Sequence, residues 1–393
     1  MGQTHSDRAG RGKARLWVVI GPPPHQPPSH HAPESAPPNH DILDDVYNAT
    51  LGFQKIFVVS MPYRTDRRDA MSLAAAFSNL EVEYADGIAV AEENFDAMKK
   101  LLPPGGYGQD WKVSGLGAWR AHMNVIRKIV EQNLTSALIM EDDVDWDIRI
   151  KSQMRDFARA TQMLVQPLAG STNRFLDPTY PSPSWGQTPS NFDLSSGLTT
   201  EPTTSPYGDA SQWDLLWLGH CGTVFPTEAG RSTPLGRVVI SNDDTVPEPQ
   251  HINMQAANKD LMEQYPPHTR VVSRTRRNLC SSAYAISRAG ARRLLWEMGV
   301  HQQDSGAMDI MLARICDGEK GRKMATCLTL QPPYFNHHRP IGRKSTFSDI
   351  DPWGDEMNEV AFTHNVRWST RLNFGKLAVG ETDWIDSYKD GKD

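Results

Sequence analysis

A short apolar segment that runs directly into a cluster of carboxylates is the feature that most constrains the fold of this chain. The segment SALIM, residues 136–140, is followed by five acidic residues, Glu141, Asp142, Asp143, Asp145 and Asp147. A short apolar run between polar residues is typical of a buried strand in a parallel sheet. Ligands of open α/β sheets bind at the carboxyl ends of such strands. The stretch therefore fits either a site where a divalent cation holds substrate phosphates or a solvated acidic turn.

Length and charge limit the class of protein. The chain has 393 residues, of which 38% are hydrophobic, and this is enough for one large α/β domain or two smaller ones. A formal net charge of -6 gives no reason to expect nucleic acid as a partner. Basic residues are scattered except for one small group, for which we predict a solvated loop. That group consists of Arg270, Arg274, Arg276 and Arg277.

The cysteines and the N-terminus leave the cellular compartment open. Four cysteines are too few for a disulfide scaffold. Cys221 and Cys280 lie in apolar runs, where buried thiols are expected, although one bridge remains an alternative. No stretch is long enough for a transmembrane helix, and we expect no transmembrane segment. The opening residues MGQTHS fit the loose N-myristoylation pattern.

Composition changes divide the chain into three parts. Residues 1–50 are rich in proline and histidine and are predicted to be a disordered tail, residues 51–350 form the folded domain, and residues 351–393 form a C-terminal extension. Within the domain, residues 166–212 are rich in small and polar residues without clear periodicity. Residues 226–269 are a second variable stretch, which could form a strand at 237–241 and a helix near 254–264. We interpret both as insertions, and the first could supply a flap over the active site.

Strands and helices alternate along the domain, which predicts an α/β fold with a mainly parallel sheet. The first strand, residues 55–59, ends before a loop that carries Arg64, Arg67 and Arg68. Guanidinium groups pair well with phosphate, but surface charge is the preferred interpretation of Arg68. The chain has no GxGxxG after this strand, no GxxxxGK[ST] and no GxSxG, which argues against a dinucleotide-binding enzyme, a P-loop NTPase and an esterase.

Several motifs carry a family resemblance in their order along the chain. They are KIFVVSMPYRTDRR, EYADGI, GLGAWRAH, IMEDDV, WDLLWLGHCG, CSSAYAISRAGARRLL and MDIML. Together they resemble glycosyltransferase family 25, which includes lipopolysaccharide glycosyltransferases and procollagen galactosyltransferases. The similar blocks cover about residues 55 to 350 apart from the two inserts. The chain departs from the family where the family often has Cys-x-x-Ser-His, since here the segment ending at His122 is AWRAH.

The resemblance implies a GT-A-like, Rossmann-type fold, a UDP-sugar donor and Mn²⁺ as the usual cation. It makes Asp143 the first choice of metal ligand, with Asp145 and one of the two histidines His337 and His338 as further ligands. The acidic residue of a later block matches Asp309, which would be the general base in an inverting enzyme, or alternatively a helix N-cap. The remaining residues expected at the donor are Arg64, Arg67, Asp86, His122, Glu141 and Asp142.

The predicted function is metal-dependent transfer of a hexose, galactose or glucose, from a UDP-sugar to a hydroxyl of an unknown glycan, protein or lipid acceptor. A non-catalytic descendant that binds a nucleotide-sugar or a protein partner is the alternative, and a metal-dependent phosphohydrolase is a third interpretation. The resemblance alone suggests the secretory pathway. Because acceptor specificity usually lies in loops, the two inserts leave the acceptor open.

Overall fold

The computed structural model describes residues 40–99, 111–184, 186–228, 233–254, 260–301, 306–350 and 353–391. Most of the predicted tail, the PPGGYG loop and part of the helix predicted near residues 254–264 lie outside the described residues. Asp41–Asp393 form one compact unit. No helix among the described residues is long and apolar enough to cross a membrane.

The described residues contain fourteen strands, which build the sheets. In chain order they are β1 (Lys55–Ser60), β2 (Glu83–Asp86), β3 (Ser136–Glu141), β4 (Val144–Asp145), β5 (Asn191–Asp193), β6 (Leu215–Gly219), β7 (Arg237–Ile240), β8 (Arg270–Arg274), β9 (Ala283–Ser287), β10 (Cys327–Gln331), β11 (Asn336–Arg339), β12 (Gly342–Arg343), β13 (Met357–Asn358) and β14 (Phe362–Thr363). Nine of them form the central sheet in the order β2-β1-β3-β9-β6-β10-β8-β7-β5. Within this sheet only β8 and β9 run against the other strands, so the predicted α/β class with a mainly parallel sheet is confirmed.

In the part of the chain that the structure describes, eight α-helices connect and flank these strands. They are α1 (Thr65–Phe77), α2 (Phe95–Lys99), α3 (Val113–Glu131), α4 (Ile150–Val165), α5 (Asp260–Gln264), α6 (Arg288–Leu294), α7 (Met308–Cys316) and α8 (Phe374–Ala378). Ser287 caps α6, because its side chain accepts a hydrogen bond from the N–H of Gly290. α1 begins at Thr65 without a side-chain cap hydrogen bond.

Helices cover both faces of the central sheet, and β3 explains why its sequence is apolar at every position. Leu138 and Met140 pack on one face with residues of α1 and α4, whereas Ala137 and Ile139 pack on the other face with residues of α3, α6 and α7. Successive side chains of a strand point to opposite faces, so both faces need apolar residues. Burying each of the larger side chains contributes about 1.5–3 kcal/mol.

The strand order places a crevice at the carboxyl end of β1. From β1 the chain passes through α1 to β2 on one side, and later through α3 to β3 on the other side. Such a reversal of strand order opens a ligand-binding crevice beyond the carboxyl ends of the strands. The reversed strand β9 brings its amino end to the same edge, where the N–H of Glu141 donates to the carbonyl oxygen of Ser282 at 2.9 Å.

The boundaries of the folded unit differ from those expected at both ends. Ile42–Tyr47 form a 3₁₀ helix whose Val46 is buried in the core, although the sequence analysis assigned these residues to the tail. At the other end, β14 of the expected C-terminal extension pairs with β11, which in turn pairs with β4. This three-stranded sheet continues the acidic stretch after β3, so residues beyond 350 contribute directly to the surroundings of the site.

Two expectations about side chains were wrong. All four cysteines are paired, as Cys221–Cys280 and Cys316–Cys327, with Cα separations of 5.4 and 5.7 Å. The first pair joins positions 59 residues apart and the second joins positions 11 residues apart, and both Cα separations suit a disulfide. The basic group is not a solvated loop either. Arg270 and Arg274 lie buried in β8, and Arg270 donates to Asp243 at 2.7 Å. A buried guanidinium needs such partners.

The two predicted insertions are partly ordered into the fold. The first contributes the edge strand β5 and the buried Tyr207, whose ring stacks on Phe53 with a centroid separation of 4.6 Å. The second contributes β7 and α5 and leads directly into β8. Residues 166–212 are absent from the described lining of the two cavities at the carboxyl edge, so nothing here supports a flap from this segment.

Candidate functional site

Two cavities open at the carboxyl edge of the sheet. The smaller, of about 450 Å³, lies between the ends of β1 and β2 and the start of α3, and residues 87–90 form one wall. The larger, of about 610 Å³, is lined by residues from α7 and β11, by residues between 344 and 350, and by Trp353. Six residues line both cavities, and they include two carboxylates of the acidic stretch. They are Ala118, His122, Glu141, Asp143, Ser348 and Ile350. The carboxylates at the end of β3 therefore lie where the two cavities meet.

Glu141, Asp143 and His337 form a compact cluster at this junction. Each offers a ligand atom, and these atoms lie within 4.8 Å of one another. The pairing of β4 with β11 places His337 opposite Val144, directly beside the acidic stretch. Neighbouring residues of a strand point to opposite sides, so His338 points away and contacts Thr363 at 3.0 Å. Of the two histidines considered from the sequence, the cluster contains His337.

The two carboxylates of this cluster are held in the ionised form. Burial alone would raise the pKa of Asp143, but His337, Arg339, Arg67 and Arg371 outweigh it and lower that pKa to about 2. Burial likewise opposes ionisation of Glu141, yet the hydrogen bond from His337 leaves its pKa below the ordinary value. In turn, Asp143 and Glu141 raise the pKa of the buried His337 above its usual value.

One oxygen of Asp143 is left without a partner. Its Oδ2 accepts a hydrogen bond from Nη1 of Arg339 at 3.0 Å, but its Oδ1 is buried and has no hydrogen-bond partner among the described residues. Buried polar atoms are almost always satisfied, so an orphaned oxygen facing other donor atoms indicates a missing cation or water. Two carboxylates and an imidazole suit a divalent cation such as Mn²⁺, the cofactor that the resemblance implies. The residues present thus fit that cation.

The arginines predicted near the donor lie beside the smaller cavity. Arg67 lines it and donates to Asp142 Oδ1 at 2.8 Å, whereas Arg64 pairs with Asp66 and Asp349. Burial raises the pKa of Asp142 despite the opposing charge of Arg67. The predicted donor residue Asp86 is exposed at the end of β2 and pairs with Arg68. Asp86 and Arg68 therefore form a surface ion pair beside this cavity.

His122 is a buried residue on the wall shared by the two cavities. Its Nδ1 lies 2.7 Å from the hydroxyl of Tyr284, and its Nε2 lies 3.9 Å from Oε1 of Glu141. Burial lowers the pKa of His122, although Glu141 opposes this effect, so the ring is neutral at physiological pH. A neutral imidazole bonded to Tyr284 can orient Glu141 without adding charge to the cluster.

Asp309 lies in the first turn of α7 and lines the larger cavity. The N-cap of this helix is Ala307, so the alternative assignment of Asp309 as the N-cap does not apply. Asp309 Oδ2 accepts from the N–H of Cys280 at 2.7 Å and Oδ1 from the N–H of Ile310 at 2.8 Å. Burial nevertheless raises the pKa of the Asp309 carboxyl, against those hydrogen bonds. A raised carboxylate pKa at a cavity wall suits a general base.

Asp145, predicted as a metal ligand, lies apart from the cluster. It is completely buried and accepts hydrogen bonds from the hydroxyls of Thr363 and Ser369 and from the N–H of Trp146. With these donors filling its lone pairs, Asp145 ties the acidic stretch to the C-terminal segment. We therefore leave it out of the proposed ligand set.

The site also contains residues that the sequence analysis missed. Ser281 donates to Glu141 Oε1 at 2.9 Å, Arg371 donates to the carbonyl oxygen of Asp142 at 2.9 Å, and Arg339 bonds Asp143. Of these three residues, only Arg339 could have been found from the sequence. It lies two residues after His337, and side chains two positions apart in a strand point to the same face. The partners of Ser281 and Arg371 come from distant parts of the chain.

Comparisons with known proteins match the first part of the domain, which includes the acidic stretch. Residues 53–177, which contain β1, α3 and the acidic stretch, match the family model described as "Glycosyltransferase family 25 (LPS biosynthesis protein)". Among curated proteins, the chain is 27% identical over 131 residues to procollagen galactosyltransferase 2 of Homo sapiens, covering 31% of this chain and 21% of that protein. It is 26% identical over 121 residues to procollagen galactosyltransferase 1 of Danio rerio, covering 28% and 20% of the two chains. The matches thus span about a fifth of the relatives' length.

The α/β fold with its crevice beyond β1 is compatible with a GT-A-like, Rossmann-type fold. Over residues 53–177 the chain is similar to glycosyltransferase family 25, and the curated relatives that it matches are named as galactosyltransferases. The family match covers neither β11 nor α7, so the roles of His337 and Asp309 depend on their geometry alone.

Proposed function

We propose that this protein transfers a hexose, galactose or glucose, from a UDP-sugar to an acceptor hydroxyl with the help of a divalent cation. The observation that carries the proposal is the cluster of Glu141, Asp143 and His337 at the junction of two cavities. The donor sugar and the acceptor hydroxyl must lie next to each other for the transfer. A cation beside the diphosphate stabilises its charge as it leaves. This junction meets both requirements.

The smaller cavity suits the nucleotide of the donor. It lies at the crevice beyond β1, and Gly117 lets α3 approach its wall closely, since a Cβ there would lie 2.4 Å from the carbonyl oxygen of Ile88. Arg67 lines the cavity and can turn from Asp142 towards a phosphate. When bound, the divalent cation neutralises charge that develops on the leaving diphosphate. Glu141, Asp143 and His337 would hold that cation.

The larger cavity suits the acceptor. Asp309 lines it together with apolar side chains that include Phe347 and Trp353. In an inverting reaction, the Asp309 carboxylate would take the proton of the acceptor hydroxyl as the new glycosidic bond forms. Aromatic side chains at such a wall favour the apolar face of a sugar or an amino-acid side chain. The acceptor class is therefore a hydroxyl on a glycan or a polypeptide.

The disulfides favour a location in the secretory pathway. Disulfide bonds persist in oxidising compartments and are rare in the cytosol. Both cysteine pairs of this chain are bonded. The two pairs therefore support the location that the family resemblance suggests.

The proposal is tested by incubating the full chain with a panel of UDP-hexoses and Mn²⁺ and measuring UDP release, with and without hydroxyl acceptors. We expect release that a chelator abolishes and that Asp143→Asn lowers by about 10²-fold or more. Asp193→Asn is the matched control, because this exposed carboxylate lies in the edge strand β5. Equal rates in both variants would contradict the site, and Mn²⁺-dependent binding of UDP without turnover would favour the non-catalytic alternative.

A further inference from the structure

The two ring nitrogens of His337 face two different sets of metal ligands. Its Nε2 faces the carboxylates Glu141 and Asp143, at 3.5 and 3.9 Å. Its Nδ1 lies 4.0 Å from Sγ of Cys221, which is bonded to Cys280. Cys221, Cys280 and His337 form a second group whose ligand atoms lie within 4.8 Å of one another. One imidazole thus lies between oxygen donors and sulfur donors.

The two groups select different metals. Carboxylates suit hard cations such as Mn²⁺ and Mg²⁺, whereas two thiolates and an imidazole suit Zn²⁺. While the sulfurs are joined to each other, they are not thiolates and bind metals weakly. Only the oxygen donors and His337 are then available, and the disulfide keeps the junction selective for a hard cation.

Both sulfurs are within reach of a reductant. Cys221 and Cys280 are half-buried and line the larger cavity, as His337 does. A thiol or phosphine that enters this cavity can attack the bond directly. The bond takes up two electrons and two protons and becomes two thiols, while a dithiol is oxidised to its disulfide or a phosphine takes oxygen from water to become a phosphine oxide.

We propose that reduction of Cys221–Cys280 creates a Zn²⁺ site formed by Cys221, Cys280 and His337, and that Zn²⁺ bound there withdraws His337 from Glu141 and Asp143. Binding releases the two thiol protons, since thiolates are the ligands. Three protein ligands leave the fourth position of a tetrahedral zinc site to water or to a group from the cavity. The consequence for Mn²⁺ rests on the proposed function, whereas the zinc site itself does not.

The second disulfide supplies a matched control. Cys316–Cys327 joins α7 to β10, and neither cysteine belongs to a described group of potential metal ligands. The variant Cys316→Ser/Cys327→Ser retains only the cysteines at the cavity. Its oxidised and reduced forms can be compared within one polypeptide, so the test does not require removal of the proposed ligands. Circular dichroism checks that both forms are folded.

The experiment uses Co²⁺ as a spectroscopic probe for Zn²⁺ in the Cys316→Ser/Cys327→Ser full chain, after phosphine reduction and anaerobic desalting. We expect thiolate-to-cobalt charge-transfer absorption that saturates near about one equivalent, disappears when Zn²⁺ is added, and is absent from the oxidised form. Changing His337→Ala in this background should weaken cobalt binding at least about tenfold, because one of three ligands is lost. Absence of the charge-transfer band in the folded, reduced control variant would overturn the proposal.

A second readout separates this inference from the proposed function. Free Mn²⁺ is measured by its solution electron paramagnetic resonance signal as oxidised or zinc-loaded reduced protein is added. Mn²⁺ binding by the oxidised form and its loss in the zinc-loaded form would support both. A cobalt band without any Mn²⁺ binding would support the zinc site and contradict the proposed function, whereas undiminished Mn²⁺ binding in the zinc-loaded form would overturn the withdrawal of His337.

Discussion

His337 and Glu141 meet across the cavity junction, with 3.5 Å between Nε2 of the histidine and Oε2 of the carboxylate. One residue ends β3 and the other belongs to β11, and the contact exists because β4 pairs with β11. The adjacent His338 points to the other side of the strand and lies 3.9 Å from the buried Asp145. Because the two side chains point to opposite sides of β11, His337 faces the proposed metal site and His338 packs against buried residues.

We predict that His337→Ala weakens Mn²⁺ binding by about tenfold or more, since a ligand is lost, and leaves the melting temperature nearly unchanged. His338→Ala should instead change the stability of the fold rather than the metal affinity. It removes a contact to Thr363 in the interior and should lower stability by about 1 kcal/mol with little effect on the metal. Isothermal titration with Mn²⁺ and thermal unfolding of both variants test this division. Equal metal affinities would contradict the role of His337.

The two glycines near the start of α3 provide a matched pair. A Cβ at Gly117 would lie 2.4 Å from the carbonyl oxygen of Ile88, whereas a Cβ at Gly115 meets its nearest atom, on Lys112, at 3.9 Å. Gly117→Ala should therefore displace the wall of the smaller cavity and weaken UDP binding. Gly115→Ala should stabilise the helix by about 0.5–1 kcal/mol, because alanine is the better helix former. UDP titrations and melting curves separate the effects, and similar UDP affinities for both variants would contradict the assignment of this cavity.

Asp309→Asn should lower the turnover number by about 10²–10⁴-fold while leaving the donor KM nearly unchanged, because the residue faces the acceptor side. Burial raises the pKa of Asp309, and a base acts only when ionised. The wild-type rate should therefore fall as the pH decreases through this raised pKa. Rate profiles against pH for the wild type and variant provide the measurement. A parallel loss of UDP affinity would indicate instead that the variant disturbs Cys280, whose N–H bonds Asp309.

Asp317 gives a prediction about stability away from the site. It follows the C-terminus of α7, and one of its buried oxygens has no hydrogen-bond partner. Burial raises its pKa from 3.8 to about 6 although Arg276 opposes this. The folded state thus binds the proton more tightly than the unfolded state, so the free energy of unfolding falls as pH rises between these values, by up to about 3 kcal/mol.

Asp317→Asn should remove this pH dependence, because an amide does not ionise. The melting temperature of the variant relative to the wild type should then be higher at about pH 7.5 than at about pH 4. Thermal unfolding at both pH values measures the difference. If the difference in melting temperature between variant and wild type is the same at both pH values, ionisation of Asp317 does not destabilise the folded protein.

The local elements could be predicted because their causes are local. The continuous apolar run of β3 reflects burial on both faces, and the acidic residues after it indicated the site. Ser287 before α6 is a capping residue whose effect acts within one turn. The order of such elements also led to the family, which the match over residues 53–177 supports.

Long-range pairing decided what the sequence left open. The choice of His337 over His338 depends on how β11 pairs with β4, and the burial of Asp145 depends on hydroxyl groups from Thr363 and Ser369. The disulfide between Cys221 and Cys280 exists because the reversed strand β9 begins where β6 ends.

The sequence by itself therefore determined the buried strand β3, the helix α6 after its cap and the acidic end of β3, since hydrophobic periodicity and capping act over a few residues. Only the tertiary structure decided which carboxylates face the cavities and which histidine joins them. Contacts between residues far apart in the chain depend on strand order and register, and these are properties of the whole sheet.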